Sequence, residues 1–189
     1  MTKETKRPAT YADLEALPEN VVGQLIDGEL IVMPRPMTPH GMAHSVLFLR
    51  LGSAFQLGMG GPGGWWFMTE PELHFGQNVL VPDLAGWRRE RMPLMPRVPY
   101  ITQAPDWVCE VLSPSTEKLD RTRKQELYAR EGIAHVWLVD PELRTLEVFQ
   151  LHGGRWVERA TWSGNARVRA EPFEALELEL GALWEMKEP

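Results

Sequence analysis

A chain of 189 residues, 43% hydrophobic and 24% charged, holds enough apolar material for one globular domain with a substantial core and does not require a second. Its formal net charge of −6 argues against a surface that grips phosphates everywhere, because non-specific nucleic-acid affinity comes from Lys and Arg displacing counterions; only a local basic patch fits. One cysteine, Cys109, excludes an internal disulfide framework and points to a reducing cytoplasm, and the sequence carries no apolar run of signal-peptide or membrane-spanning length, so no membrane contact is expected.

Residues 1–9 read as a flexible tail, and a single domain is expected from 10 to 189. Thr10-Tyr11-Ala12-Asp13-Leu14 has a capping threonine with an acid three residues on, the start of a short helix that Pro18 ends. In Leu25-Ile26-Asp27-Gly28-Glu29-Leu30-Ile31, Asp-Gly between two apolar runs predicts a tight hairpin. A loop through residues 34–39 leads into a helix from about His40, with Ala43, Val46, Leu47, Leu51 and Ala54 at helical spacing. His40 and His44 stand at i, i+4, as zinc ligands can, but Gly41 replaces the glutamate of a metalloprotease pair. The ordinary reading is a histidine near the helix start, hydrogen-bonded to neighbouring loops.

The glycine-rich stretch from 58 to 64 lacks the Lys-Ser/Thr of a phosphate-cradling loop and reads as a turn. Residues 65–75 predict a strand broken or edged at Pro71, and Gly76-Gln77-Asn78 turns the chain into a second strand running through Asp83. Glu72 would then face the Asp83 strand as a third carboxylate. Arg88-Arg89-Glu90-Arg91 opens a proline-punctuated loop with local positive charge, placed either to meet a phosphate backbone or as a solvated or oligomer-contact loop.

Trp107-Val108-Cys109-Glu110-Val111-Leu112 is apolar on both faces, as a buried central strand is, yet it contains a carboxylate. An ionised carboxylate there needs a partner. With Asp83 on a neighbouring strand, the two acids share a proton, hold a cation or are bridged by a lysine. Residues 117–131 then predict a charged helix stopped by Gly132, which puts Asp120, Lys124 and Tyr128 on one face. Strands follow at 134–140, 145–149 and 155–157, making the sheet mixed, and the end predicts a last strand and a short closing helix. The eight tryptophans mostly fall in predicted strands, which suits core packing better than base stacking.

Val81-Pro82-Asp83, then Glu110 on a later strand, then basic residues on the next helix is the arrangement used in metal-dependent phosphodiester hydrolysis. Magnesium takes one or two carboxylates plus waters and phosphate oxygens, and it activates a bound water. Leu25-Ile26-Asp27-Gly28-Glu29, Val81-Pro82-Asp83, the run from Pro105 to Thr116, Asp120 with Lys124 and Tyr128, and Val136-Trp137-Leu138-Val139-Asp140 together resemble the Uma-type restriction-endonuclease family over residues 20 to 150. The resemblance implies an α/β, restriction-endonuclease-like fold, a central mixed sheet flanked by helices, carrying N-terminal and C-terminal β-hairpin additions.

It also implies a Mg2+- or Mn2+-dependent endonuclease acting on DNA, with Asp83 and Glu110 as metal-binding acids. Glu72 joins them as a third candidate metal ligand. The pattern's lysine two residues after the glutamate is Leu112 here, so Lys124 is the substitute; otherwise Asp120 and Lys124 form only an exposed helical ion pair. Many relatives have a glutamate where this chain has Gln24. Gln24, Arg88, Arg121 and Tyr128 are candidate substrate contacts. The competing readings are a non-catalytic interaction or nucleic-acid-binding module on the same fold and an RNA or nucleotide phosphodiesterase, and cutting both strands suits a homodimer.

Overall fold

Proline decides how the strands divide between sheets. Pro82 cannot donate to a central ladder, and the chain leaves one sheet and enters another around it. In the structure, a computed structural model describing residues 7–33 and 37–185, β5 (Asn78–Leu80) ends before this proline and β6 (Leu84–Arg88) begins after it. The strand expected to run through Asp83 is therefore two strands, and Asp83 lies in the crossing between them. Residues 1–6 of the expected tail, 34–36 of the expected loop and the end of the expected closing helix lie outside the described residues.

Pro71 acts the same way. β3 (Trp65–Thr69) joins one sheet and β4 (Leu73–Phe75) the other, with Glu70 between them at φ 47, in the left-handed region. The smaller sheet orders β2 (Glu29–Met33), β1 (Val22–Ile26), β5 and β4. Its first hairpin turns at Asp27 and Gly28, both with positive φ and closed by the Ile26–Glu29 pair, the two-residue turn expected from Asp-Gly.

The central sheet has six strands in the order β10-β9-β8-β7-β6-β3, where β7 is Trp107–Val111, β8 His135–Asp140, β9 Thr145–His152 and β10 Arg155–Ser163. β7 and β8 run parallel and the other neighbours antiparallel. A parallel pair needs a crossover. The helical segment between them supplies it: α3 (Glu117–Leu119), a π-helical turn (Asp120–Lys124) and α4 (Gln125–Arg130), ended by Gly132 at φ 72. The expected single helix is thus interrupted by a wider turn at the residues that matter most below. The expected hairpin and short strand at the end appear as β9–β10 and as a two-stranded pair, β11 (Arg167–Val168) with β12 (Leu178–Glu179).

Alternation along β7 assigns its two faces to two helical layers. Trp107, Cys109 and Val111 pack with Ala43, Leu47 and Leu51 of α2 (Thr38–Leu51), while Val108 and Leu112 pack with Leu127 and Tyr128 of the crossover. Trp65, Trp107 and Trp137 surround Phe173 with ring centroids 4.8, 5.1 and 5.5 Å away, so these tryptophans are core. Among the described residues no helix is long and apolar enough to cross a membrane.

Cys109 is fully buried, and burial first, then the charges of Asp83 and Glu110, push its thiol well above the usual range. A disulfide reagent such as DTNB should therefore label native protein only at the rate of unfolding, even at pH 8.5, and label it at once in denaturant; fast native labelling would show that β7 is not packed as described.

Candidate active site

The register of β6 against β7 pairs Leu84 with Cys109, and one further step brings Asp83 across from Glu110. Both acids line one cleft of about 630 Å³ at this end of the central sheet, together with Gln24, His40, Glu70, Asp120 and Lys124. Asp83 is held at three points. Its Oδ2 accepts from Val111 N–H at 2.6 Å, its Oδ1 lies 3.1 Å from His40 Nε2, and its carbonyl accepts from Glu70 N–H at 2.9 Å and from His44 Nε2 at 3.0 Å.

Glu110 projects from the other face of β7, toward the crossover. Its Oε1 lies 2.8 Å from Lys124 Nζ and accepts a short hydrogen bond from Tyr128 OH. Lys124 Nζ is also 3.1 Å from Asp120 Oδ1 and donates to Val81 O at 3.4 Å. The Asp120 contact is an ion pair; Oδ1 is buried and accepts no hydrogen bond. Asp120 and Lys124 do pair, then, but at 2% and 1% exposure they are not the exposed pair that the spacing alone allows.

These burials set the charges. Burial pushes the Glu110 carboxyl upward, Asp120 and Asp83 push the same way, and Lys124 opposes them. For Lys124, burial works against the ammonium, but Glu110, Asp120 and Asp83 together outweigh it and hold the lysine above its ordinary range. One ammonium among three carboxylates stays protonated, and the surplus negative charge is what must be relieved, by a proton or a cation.

The donor set fits magnesium or manganese. Asp83 and Glu110 offer carboxylate oxygens, and Asp120 Oδ1 is buried without a hydrogen bond. Among the described residues, no group of three or more His, Cys, Asp or Glu is arranged to hold an ion by itself. Zinc is not favoured, since the Nε2 atoms of both His40 and His44 already face Asp83.

The other candidates separate from the cleft. Glu72 is not beside Asp83: its Oε1 accepts from Tyr11 OH at 2.8 Å and lies 2.6 Å from His74 Nε2, because the break at Glu70-Pro71 resets the alternation. Glu70 lines the cleft instead. Gln24 is buried at the cleft and accepts from Val81 N–H at 2.9 Å. Tyr128 is buried behind Glu110 rather than exposed to a substrate. The guanidinium of Arg88 lies 4.6 Å over the Trp65 ring, and Arg89 stacks 3.9 Å over Trp66, so the charges opening the proline-rich loop fasten it to β3. Arg121 is bonded bidentately to Glu147 and also to Glu117. His40 carried a readable signal, its i, i+4 spacing from His44, but the target, Asp83, is distant in sequence.

A family model described as "Uma2: Putative restriction endonuclease" matches residues 8–182. No curated protein matches. Among solved structures, a crystal structure of a putative nuclease of the DUF820 group from Anabaena variabilis is similar, with a TM-score of 0.75 and 23% identity, covering 94% of this chain and 98% of that one. That likeness shows the fold.

Removing the ammonium leaves Glu110 and Asp120 buried without their counter-charge. Lys124→Met should therefore lower stability by about 3–5 kcal/mol in urea denaturation, against a few tenths for an exposed helical pair; a change of the smaller size would contradict the burial.

Proposed function

The chain belongs to the Uma2 restriction-endonuclease family, and on that premise we propose that it is a divalent-metal-dependent nuclease that hydrolyses phosphodiester bonds in DNA. The observation that carries this reading is the position of Lys124, whose Nζ reaches from the crossover helix to within 2.8 Å of Glu110 in the cleft that Asp83 also lines. Leu112 stands where a strand lysine is expected, and its side chain packs in the core. The helix supplies the ammonium instead.

In this reading Asp83 and Glu110 hold Mg2+ or Mn2+, which when bound supplies charge neutralisation at the phosphate and a more acidic water. The chain's own groups do the rest. Tyr128 holds Glu110 in one rotamer through the bond to Oε1. Lys124 places a fixed positive charge beside that carboxylate, where it stabilises negative charge developing on the scissile phosphate and orients the attacking water. Preorganisation is the point, since the lysine is anchored by Asp120 and Val81 O before any substrate arrives. Gln24 fixes the strand crossing at Val81 and leaves the acids to hold the ion. The reading extends to a reducing compartment, consistent with the thiol of Cys109, and to a two-fold pair for cutting both strands.

Incubating purified protein at low salt with plasmid, single-stranded DNA and RNA, in magnesium, manganese or EDTA, tests the assignment. DNA cleavage is expected with either metal and none in EDTA or in Asp83→Asn and Glu110→Gln. Cleavage that survives EDTA, or is confined to RNA, would overturn the metal or the substrate respectively; inactivity on every substrate would favour the non-catalytic module. Metal at a hundredfold excess over Kd should also stabilise the folded protein by about 2.7 kcal/mol. Asp83→Asn should lose most of that gain, and an equal response in the mutant would place the ion elsewhere.

A further inference from the structure

We propose that His40 and His44 form a two-point clamp that positions Asp83 for metal binding, His40 through the carboxylate and His44 through the main-chain carbonyl; this rests on the metal-dependent reading above. Asp83 needs such a device because of where it sits. It lies in the crossing between β5 and β6, one residue outside the ladder that begins with the Leu84–Cys109 pair. Glu70 N–H holds the Asp83 carbonyl on the β3 side, but the β7 ladder does not include Asp83, and a side chain at such a margin is free to swing, each extra rotamer diluting the binding-competent one.

Helix α2 supplies the restraint. His40 and His44 are one turn apart and so share a face, and that stripe continues into Leu47 and Leu51, which are buried against the sheet. Packing of the inner turns thus aims both rings at the crossing. His44 Nε2, 3.0 Å from a carbonyl oxygen, must carry the proton, because the carbonyl can only accept. His40 Nε2, 3.1 Å from Asp83 Oδ1, donates to the carboxylate in the same way, while Nδ1 of that ring is buried with no partner. No other hydrogen bond therefore competes for the His40 ring.

The clamp leaves Asp83 able to bind an ion. Each carboxylate oxygen has two lone-pair directions. Val111 N–H takes one on Oδ2 and His40 takes one on Oδ1, so one on each oxygen remains. Asp83 is pinned from the strand side by β7 and from the helix side by α2. Hydrogen-bond partners of metal ligands act in this manner, and their loss typically costs 10–100-fold in affinity or activity.

Calorimetric titration of the full-length protein with Mn2+, without nucleic acid, tests the clamp separately from cleavage. His40→Ala should weaken Mn2+ binding by about tenfold or more. His40→Gln, whose side-chain N–H reaches about as far as Nε2, should stay within about threefold of wild type, while the shorter His40→Asn should bind as weakly as His40→Ala. The Gln and Asn variants are both polar and similar in size, so the comparison holds even if the alanine variant folds poorly; circular dichroism checks each. Equal affinity in wild type, Asn and Ala variants would overturn the clamp and leave the metal site standing. Gln as weak as Asn would overturn it too, because the ring's packing rather than its N–H would then matter. No Mn2+ binding by wild type would remove the metal reading and the clamp together.

Discussion

The ammonium of Lys124 is the charge on which the site depends. Glu110, Asp120 and Asp83 together outweigh the cost of burying the Lys124 ammonium, while burial pushes the Glu110 carboxyl up to about 8 in spite of the lysine beside it. The arrangement accounts for several features together. It explains why a glutamate is tolerated in the middle of β7, where every neighbour is apolar and buried, and why a fully buried tyrosine lies behind it with its hydroxyl on Oε1. In the proposed function, that negative surplus is what a divalent cation would neutralise.

Two layers converge at one end of the central sheet to build this site. From one face α2 reaches Asp83 with two histidines, and from the other the crossover reaches Glu110 with Lys124 and Tyr128. The strands bring the acids near each other, since the β6–β7 ladder ends at the Leu84–Cys109 pair, one residue from each acid, and Asp83 Oδ2 accepts from Val111 N–H beside Glu110. The helices fix their orientation. The crossover adopts a π-helical turn at Asp120–Lys124, a wider turn of the kind that recurs at functional sites. Arg121 and Arg123 on the same turn point elsewhere, to Glu147 and to Glu29, and tie the helix to β9 and to the β1–β2 hairpin.

Much of the fold was readable because it is written in local pattern. Asp27-Gly28 announces a two-residue hairpin turn, the unbroken apolar run around Glu110 announces a buried strand, and the spacing of Asp120, Lys124 and Tyr128 announces a shared face. What was not readable depends on contacts far apart in the chain or on a break in phase. Pro82 moves Asp83 off the strand and between two sheets, and the left-handed Glu70 before Pro71 resets the alternation that would have turned Glu72 toward Asp83. Arg88 looks free in sequence because its partner, Trp65, lies 23 residues away, and Arg121, beside its local pair with Glu117, is held by Glu147, 26 residues away. The exposed ion pair expected of Asp120 and Lys124 is buried for a similar reason: the partners that Lys124 reaches, Glu110 and Val81 O, come from other parts of the chain.

The central claim is that a helix-borne lysine does the work of the strand lysine replaced by Leu112. Single-turnover DNA cleavage at saturating Mn2+, comparing wild type with Lys124→Met at a temperature where both are folded, tests it most directly. The account predicts a loss of about a hundredfold or more in the cleavage rate, with Mn2+ still bound. An unchanged rate in folded, metal-loaded Lys124→Met would contradict it.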